Sequence, residues 1–92
     1  MNLRLEIMHR IAPVPNINGS PAHCLIDQMM EVCQALEAAA ACMRKFQPHG
    51  RDYQIGGDYH ADSAEFRRRL TLVEELAAQY ESEAYTLSTQ ER

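Results

Sequence analysis

The chain has 92 residues, 46% hydrophobic and 24% charged, with a net charge of −4. That is enough for one domain, and it excludes a surface that attracts nucleic acid indiscriminately. No apolar run approaches the roughly 20 residues a membrane span needs, so no membrane association is expected. Residues 1–46 balance four basic against four acidic side chains, whereas residues 47–92 set five Arg against nine acids and hold the whole net charge. Eight of the nine basic residues are Arg, the better fork for carboxylates and phosphates.

Residues 2–11 alternate Leu3, Leu5 and Ile7 with Arg4, Glu6 and Met8. This period of two predicts a β-strand with one buried face, which requires a partner strand elsewhere. Pro13, Pro15 and Gly19 punctuate an extended connection. Ser20-Pro21 then has the form of a helix start, with Ser as cap and Pro in the first turn, and Pro48 and Gly50 stop the helix after residue 46. Within helix 20–46 the apolar positions Ala22, Leu25, Met29, Val32, Leu36, Ala39, Met43 and Phe46 alternate spacings of 3 and 4.

Residues 47–61 hold Gly56-Gly57 between YQI and DYH, a turn signal that predicts a small β-ribbon able to pair with the N-terminal strand. Asp62, with Glu65 three residues on, has a capping-box pattern and opens a second helix over 62–87. Its seam is Phe66, Leu70, Val73, Ala77, Tyr80, Ala84 and Leu87, again at alternating spacings of 4 and 3. The expected fold is therefore α+β and mostly α: one domain over 1–92, an antiparallel helical hairpin whose N-terminal strand pairs with a ribbon from the loop.

Residues that could carry chemistry are sparse. Cys24, Cys33 and Cys42 are nine apart, so successive thiols turn to opposite sides of a helix and cannot converge on a metal. The odd count and the absence of a signal-peptide pattern predict a reducing cytoplasm. His49 and His60 with Asp52, Asp58 and Asp62 match no ligand spacing. Glu74 and Glu75 point about 100° apart, and Gly56-Gly57 lacks a phosphate-loop Lys. No catalytic residue, cofactor or metal is expected, and the chain reads as a non-enzyme.

Binding is the better prospect. Asp27, Glu31 and Gln34 share one face of the first helix, with Glu37 beside them. Two carboxylates one turn apart repel without a nearby base, so the stripe is either a solvated face or a docking surface for basic groups. Of the triplet Arg67, Arg68 and Arg69, either Arg68 and Arg69 pair with Glu65 along the helix at i+3 and i+4, or the three join Arg51 in gripping phosphate or acidic side chains. Tyr53, Tyr59 and Ile55 either cap the hairpin core or anchor a partner.

The segments HGRDYQIGGDY and EFRRRLTLVEELAAQYE, and the chain as a whole at this length, resemble small phage and prophage proteins of the type I-F anti-CRISPR kind. Such families share a task rather than a motif, so no site residues transfer. The resemblance implies a stoichiometric inhibitor in the host bacterial cytoplasm. It would bind Cas subunits of the crRNA-guided Csy surveillance complex and block target-DNA binding or hybridisation. In that setting Asp27, Glu31 and Glu37 would face basic Cas side chains, with Gln34 also at the contact. Arg51 and Arg67–Arg69 would reach crRNA phosphates or acidic groups, with Tyr53 as a further partner contact. A generic helical-hairpin module acting on another host factor, for example by self-association, is the alternative. A monomer is favoured, and the negative charge argues against direct sequence-specific DNA binding.

The seam itself is testable. Val73→Asp should abolish the cooperative melt and the helical circular dichroism signal by burying an unpaired charge; a variant that keeps both contradicts it.

Overall fold

A computed structural model describes residues 8–90. Two helices carry the chain: α1, Ala22–Lys45, and α2, Tyr59–Gln90. A single 3-10 turn, Gly50–Tyr53, lies between them. Met29 shares a buried cluster with Ala84 and Leu87, and Arg44 pairs with Glu74, so the helices run antiparallel. The shape is a rod of 63 × 24 × 18 Å with a radius of gyration of 17.9 Å, against about 12 Å for a compact domain of this length.

Each helix boundary has a local cause. At the start of α1 the backbone of Pro21 is extended (φ −60°, ψ 149°), so Pro21 rather than Ser20 occupies the cap position, and its carbonyl accepts from the amides of Cys24 and Leu25. No side chain caps that end. Arg44 and Lys45 sit in the last turn, where the helix dipole favours cations. Phe46 ends α1 outside helical geometry, its amide returning to the Met43 carbonyl. Asp58, not Asp62, caps α2: its Oδ1 accepts from the Ala61 amide at 3.0 Å and its carbonyl from the Asp62 amide. Helix α2 therefore starts three residues earlier than its capping-box pattern predicts, and Asp62 lies in its first turn.

The expected sheet is absent among the described residues. Residues 2–7 of the predicted strand lie outside them, and residues 8–11 pair with no strand. Instead the Ile11 amide donates to the Glu83 carboxylate at 3.0 Å and the Arg10 guanidinium to the Thr86 hydroxyl at 3.3 Å, laying this segment along α2. The predicted ribbon over 47–61 is replaced by local bonding. The His49 ring accepts from the Arg51 amide, and the His49 carbonyl accepts from the Asp52 amide. Those donors are then spent on a turn and cannot build a ladder. Gly57 takes φ +95°, and a Cβ there would meet the Tyr53 ring at 3.0 Å, so this glycine serves a close approach rather than a hairpin turn.

The core is narrow. Buried apolar residues are Ala22, Met29, Cys33, Ala40, Ala77, Ala84 and Leu87, four of them alanine. On α2 these fall on the predicted seam, with Phe66, Leu70, Val73 and Tyr80 half-buried. On α1 the seam is rotated. Cys33 (1% exposed) and Ala40 are covered, whereas Val32 is 38% and Phe46 88% exposed and Ala39 is exposed as well. The covered series on α1 is Ala22, Ile26, Met29, Cys33, Leu36, Ala40 and Met43, with Ile26, Leu36 and Met43 half-buried. Leu87, 3% exposed in the basal cluster, should cost about 2–5 kcal/mol when cut to Ala, measured by denaturant unfolding. Ile55→Ala, at a side chain fully in solvent, should stay within about 0.5 kcal/mol of the parent.

Candidate partner-binding surface

Helical phase divides the hairpin into distinct surfaces. Asp27, Glu31 and Gln34 are exposed on α1 and turned away from α2. Among the described residues the ion pairs are Arg44–Glu74 and Glu65 with Arg68 and Arg69, so Asp27 and Glu31 enter none. A straight helix holds them about 6 Å apart, near the rise of one turn. Glu37 does not join that stripe. It lies toward α2 and, with Arg44, Glu74 and Glu81, rims an open groove of about 350 Å³ floored by Ala40, Ala77 and Ala78.

Cys33 lies beneath this charged side. Burial pushes its thiol above the ordinary range, and the nearby charges of Glu37 and Glu81 and a hydrogen bond with Glu37 act in the same direction. A thiol held protonated in this way is a poor nucleophile. All three cysteines are free, with Cys24 half-buried and Cys42 exposed.

The tip gathers the aromatic residues. Tyr53 is half-buried; its hydroxyl donates to the Asp62 carboxylate at 2.7 Å, and its ring meets Tyr59 edge-on at 5.4 Å. That hydrogen bond, followed by partial desolvation and the Asp62 charge, raises the phenol above its usual value. Tyr53 thus ties the loop to α2, while Ile55 projects into solvent. Phe46, Met43 and Phe66 line an open groove of about 530 Å³ at this end, with Asp62, Glu65 and Arg69 as its polar rim.

The arginines do not act as a set. Arg68 Nε and Nη2 donate to the two Glu65 oxygens at 3.0 and 2.7 Å, and Arg69 Nε donates to Oε2 at 2.7 Å. Intrahelical pairing, one of the two alternatives the sequence leaves open, is the arrangement found for these two. Arg51 is exposed in the 3-10 turn, and exposed Arg67 borders a separate depression with Tyr59 and Leu70. The structure therefore brings Arg68 and Arg69 together on Glu65 and leaves Arg51 and Arg67 apart from them.

Sequence reasoning passes over Glu83. Its carboxylate is 4% exposed and accepts from the Ile11 amide and, at 3.1 Å, from the Gln79 amide group. A buried acid holding the N-terminal segment needs a neighbour far away in sequence, and helical spacing does not reveal one. Among the described residues no three His, Cys, Asp or Glu side chains converge as a metal site requires, and no helix is long and apolar enough to cross a membrane. Comparison with protein-family models, with curated proteins and with solved structures returned no match.

Glu65 supplies a direct check on this geometry. The hydrogen bonds from Arg68 and then Arg69 hold its carboxyl at about 2, against an ordinary 4.5. Because the folded value is depressed, the pairing contributes fully above the ordinary carboxylate range and is lost as pH falls through about 2. All three side chains are substantially exposed, so the effect on global stability is small. A carboxyl-detected NMR titration should place the Glu65 midpoint near 2, and Arg68→Ala with Arg69→Ala should return it toward its ordinary value.

Proposed function

We propose that this chain is a non-catalytic inhibitor that acts by docking, and that its target is the type I-F crRNA-guided Csy complex that its resemblance implies. The observation supporting a docking role is the exposed pair Asp27 and Glu31, fixed one helical turn apart on a 24-residue helix without a neutralising base among the described residues. Like charges so placed cost the helix a few tenths of a kcal/mol, a cost that binding to a basic surface reverses. Gln34 extends the stripe by a further turn, and Glu37 flanks it on the side facing α2.

Docked this way, the stripe meets Lys and Arg of Cas subunits in a nucleic-acid channel, and the protein works in the host bacterial cytoplasm. Arg51 and Arg67 supply cations for crRNA phosphates or acidic side chains, with Tyr53 fixing the loop that carries Arg51. Arg68 and Arg69 join them only by giving up Glu65. The generic-module alternative draws on a different feature, the large apolar side chains left exposed along the rod, including Val32 and Phe46.

Purified protein mixed with the Csy complex should co-elute with it and lower its affinity for target DNA. Asp27→Lys with Glu31→Lys should weaken that binding about tenfold or more while leaving the helical spectrum unchanged. If the parent protein neither co-elutes nor affects DNA binding, the Csy target is wrong. If it binds and the double variant binds equally well, the stripe is not the contact.

A further inference from the structure

We infer that residues 10–13 form a strap that opens and closes over the base of the hairpin while both helices stay folded, and that the Glu83 carboxylate is its latch. The starting point is a buried acid with few partners. Glu83 is 4% exposed, and its hydrogen bonds fall on one oxygen, Oε2, from the Ile11 amide at 3.0 Å and the Gln79 side chain at 3.1 Å. Gln79 lies one turn back on the same helix, so among the described residues Ile11 supplies the donor that comes from outside α2. No ion pair neutralises Glu83 among them; the neighbouring Arg10 guanidinium donates to the Thr86 hydroxyl instead. The acid is thus enclosed by the segment it holds. Residues 10–13 close over Glu83, Thr86 and Leu87 and leave a space of about 10 Å³, too small for more than one water.

Little else holds the strap down. Ile11 is 51% exposed, Ala12 is exposed and Pro13 is half-buried, so seating it removes a modest apolar area from water. The Arg10–Thr86 bond lies at the exposed surface. Residues 14–20, which join the strap to α1, bond within themselves: the Asn16 side-chain oxygen accepts from the Asn18 amide at 2.9 Å, and its carbonyl from the Gly19 amide at 3.1 Å. Among the described residues no hydrogen bond ties this stretch to either helix, and Val14 and Ile17 stand in solvent at 79% and 97% exposure. The strap therefore lifts on a tether that leaves α1 in place.

The helices hold together by other means. Met29, Ala84 and Leu87 form their buried cluster, with Leu25, Ile26 and Met30 packed against it, and none of residues 10–13 belongs to it. Opening the strap also orphans no polar group, because water replaces the Ile11 amide at Glu83 and hydrates the amide in turn. Closing it buries a carboxylate, which is tolerated only with a donor in place, and the Ile11 amide is that donor. Such a segment opens locally, at lower cost than global unfolding. Closed, it hides Glu83 and Leu87; open, it presents an acid beside an apolar side chain at the base of the rod. The strap thus decides whether that end of the core is sealed. This inference does not depend on the Csy target, because it is measured on the protein alone.

Trypsin reports the strap directly, because the Arg10–Ile11 bond must lift off α2 to enter the protease. With opening fast relative to cleavage, the rate at this bond tracks the open fraction. Glu83→Ala should speed it about tenfold or more, and Glu83→Gln, which keeps an acceptor oxygen, by less. Cleavage after Arg69, inside α2, should stay slow in all three proteins. Hydrogen exchange on the parent chain remains decisive if Glu83→Ala unfolds. The Ile11 amide should be protected relative to the denatured chain, but less than the Ala84 amide within α2. An Ile11 amide that exchanges at the denatured rate, or in step with Ala84, overturns the strap. Equal cleavage after Arg10 in the parent and in Glu83→Ala overturns the latch.

Discussion

Two helices packed side by side can shield only the strip along which they touch, and this limit governs the whole molecule. The strip here is lined by small residues, Ala22, Cys33, Ala40, Ala77 and Ala84, with Met29 and Leu87 as the large apolar side chains that are covered. Small residues let the backbones approach, but they bury little surface each, so hydrophobic stabilisation at about 25 cal/mol per Å² accumulates slowly. Larger side chains, among them Leu36, Leu70, Val73 and Tyr80, are left half-covered at the margins. Rod shape, thin core and exposed apolar flank are consequences of one packing geometry.

The ends of the rod are secured by polar contacts instead. At the tip, the Asp58 cap, the Tyr53–Asp62 hydrogen bond and the edge-on tyrosine pair hold the connection against α2. At the base, buried Glu83 gathers the Ile11 amide and the Gln79 side chain. A side chain so enclosed is tolerated because Oε2 accepts both of these hydrogen bonds. Arg44–Glu74 bridges the helices between these ends. Of the residues proposed to meet the Csy complex, Tyr53 belongs to this framework and Glu37 bonds Cys33, while Arg68 and Arg69 pair only with Glu65 on their own helix. Most can therefore change charge without loosening the hairpin.

How far the amino-acid order foretells this differs by element. Both helices and the α2 seam are readable from spacing, because alternation of 3 and 4 has one structural meaning over such a length. The α1 face is not, since two overlapping seams share Ala22, Met29, Leu36 and Met43, and periodicity cannot say whether Val32 or Cys33 turns inward. The apolar bulk of Val favours the wrong choice; the covered position on α1 holds the smaller thiol, 1% exposed. The loop misleads for another reason. Gly56-Gly57 has the form of a hairpin turn, but Asp58 caps the next helix and His49 consumes the nearby amides, which leaves no ladder to form. The acidic stripe and Arg triplet are legible as composition; that Glu65 already engages two of those arginines depends on side-chain placement.

The phase of α1 is the point on which the proposed docking surface rests, and the native cysteines report it. Timed alkylation followed by peptide mass spectrometry gives the labelling rate at Cys33 in the folded chain and in the denatured chain. With α1 turned as described, Cys33 is shielded by α2 and reacts orders of magnitude more slowly when folded, reaching the denatured rate only as the hairpin unfolds. Labelling of Cys33 in the native protein at the denatured rate would mean that Val32, not Cys33, faces α2, and the assignment of that surface would fail.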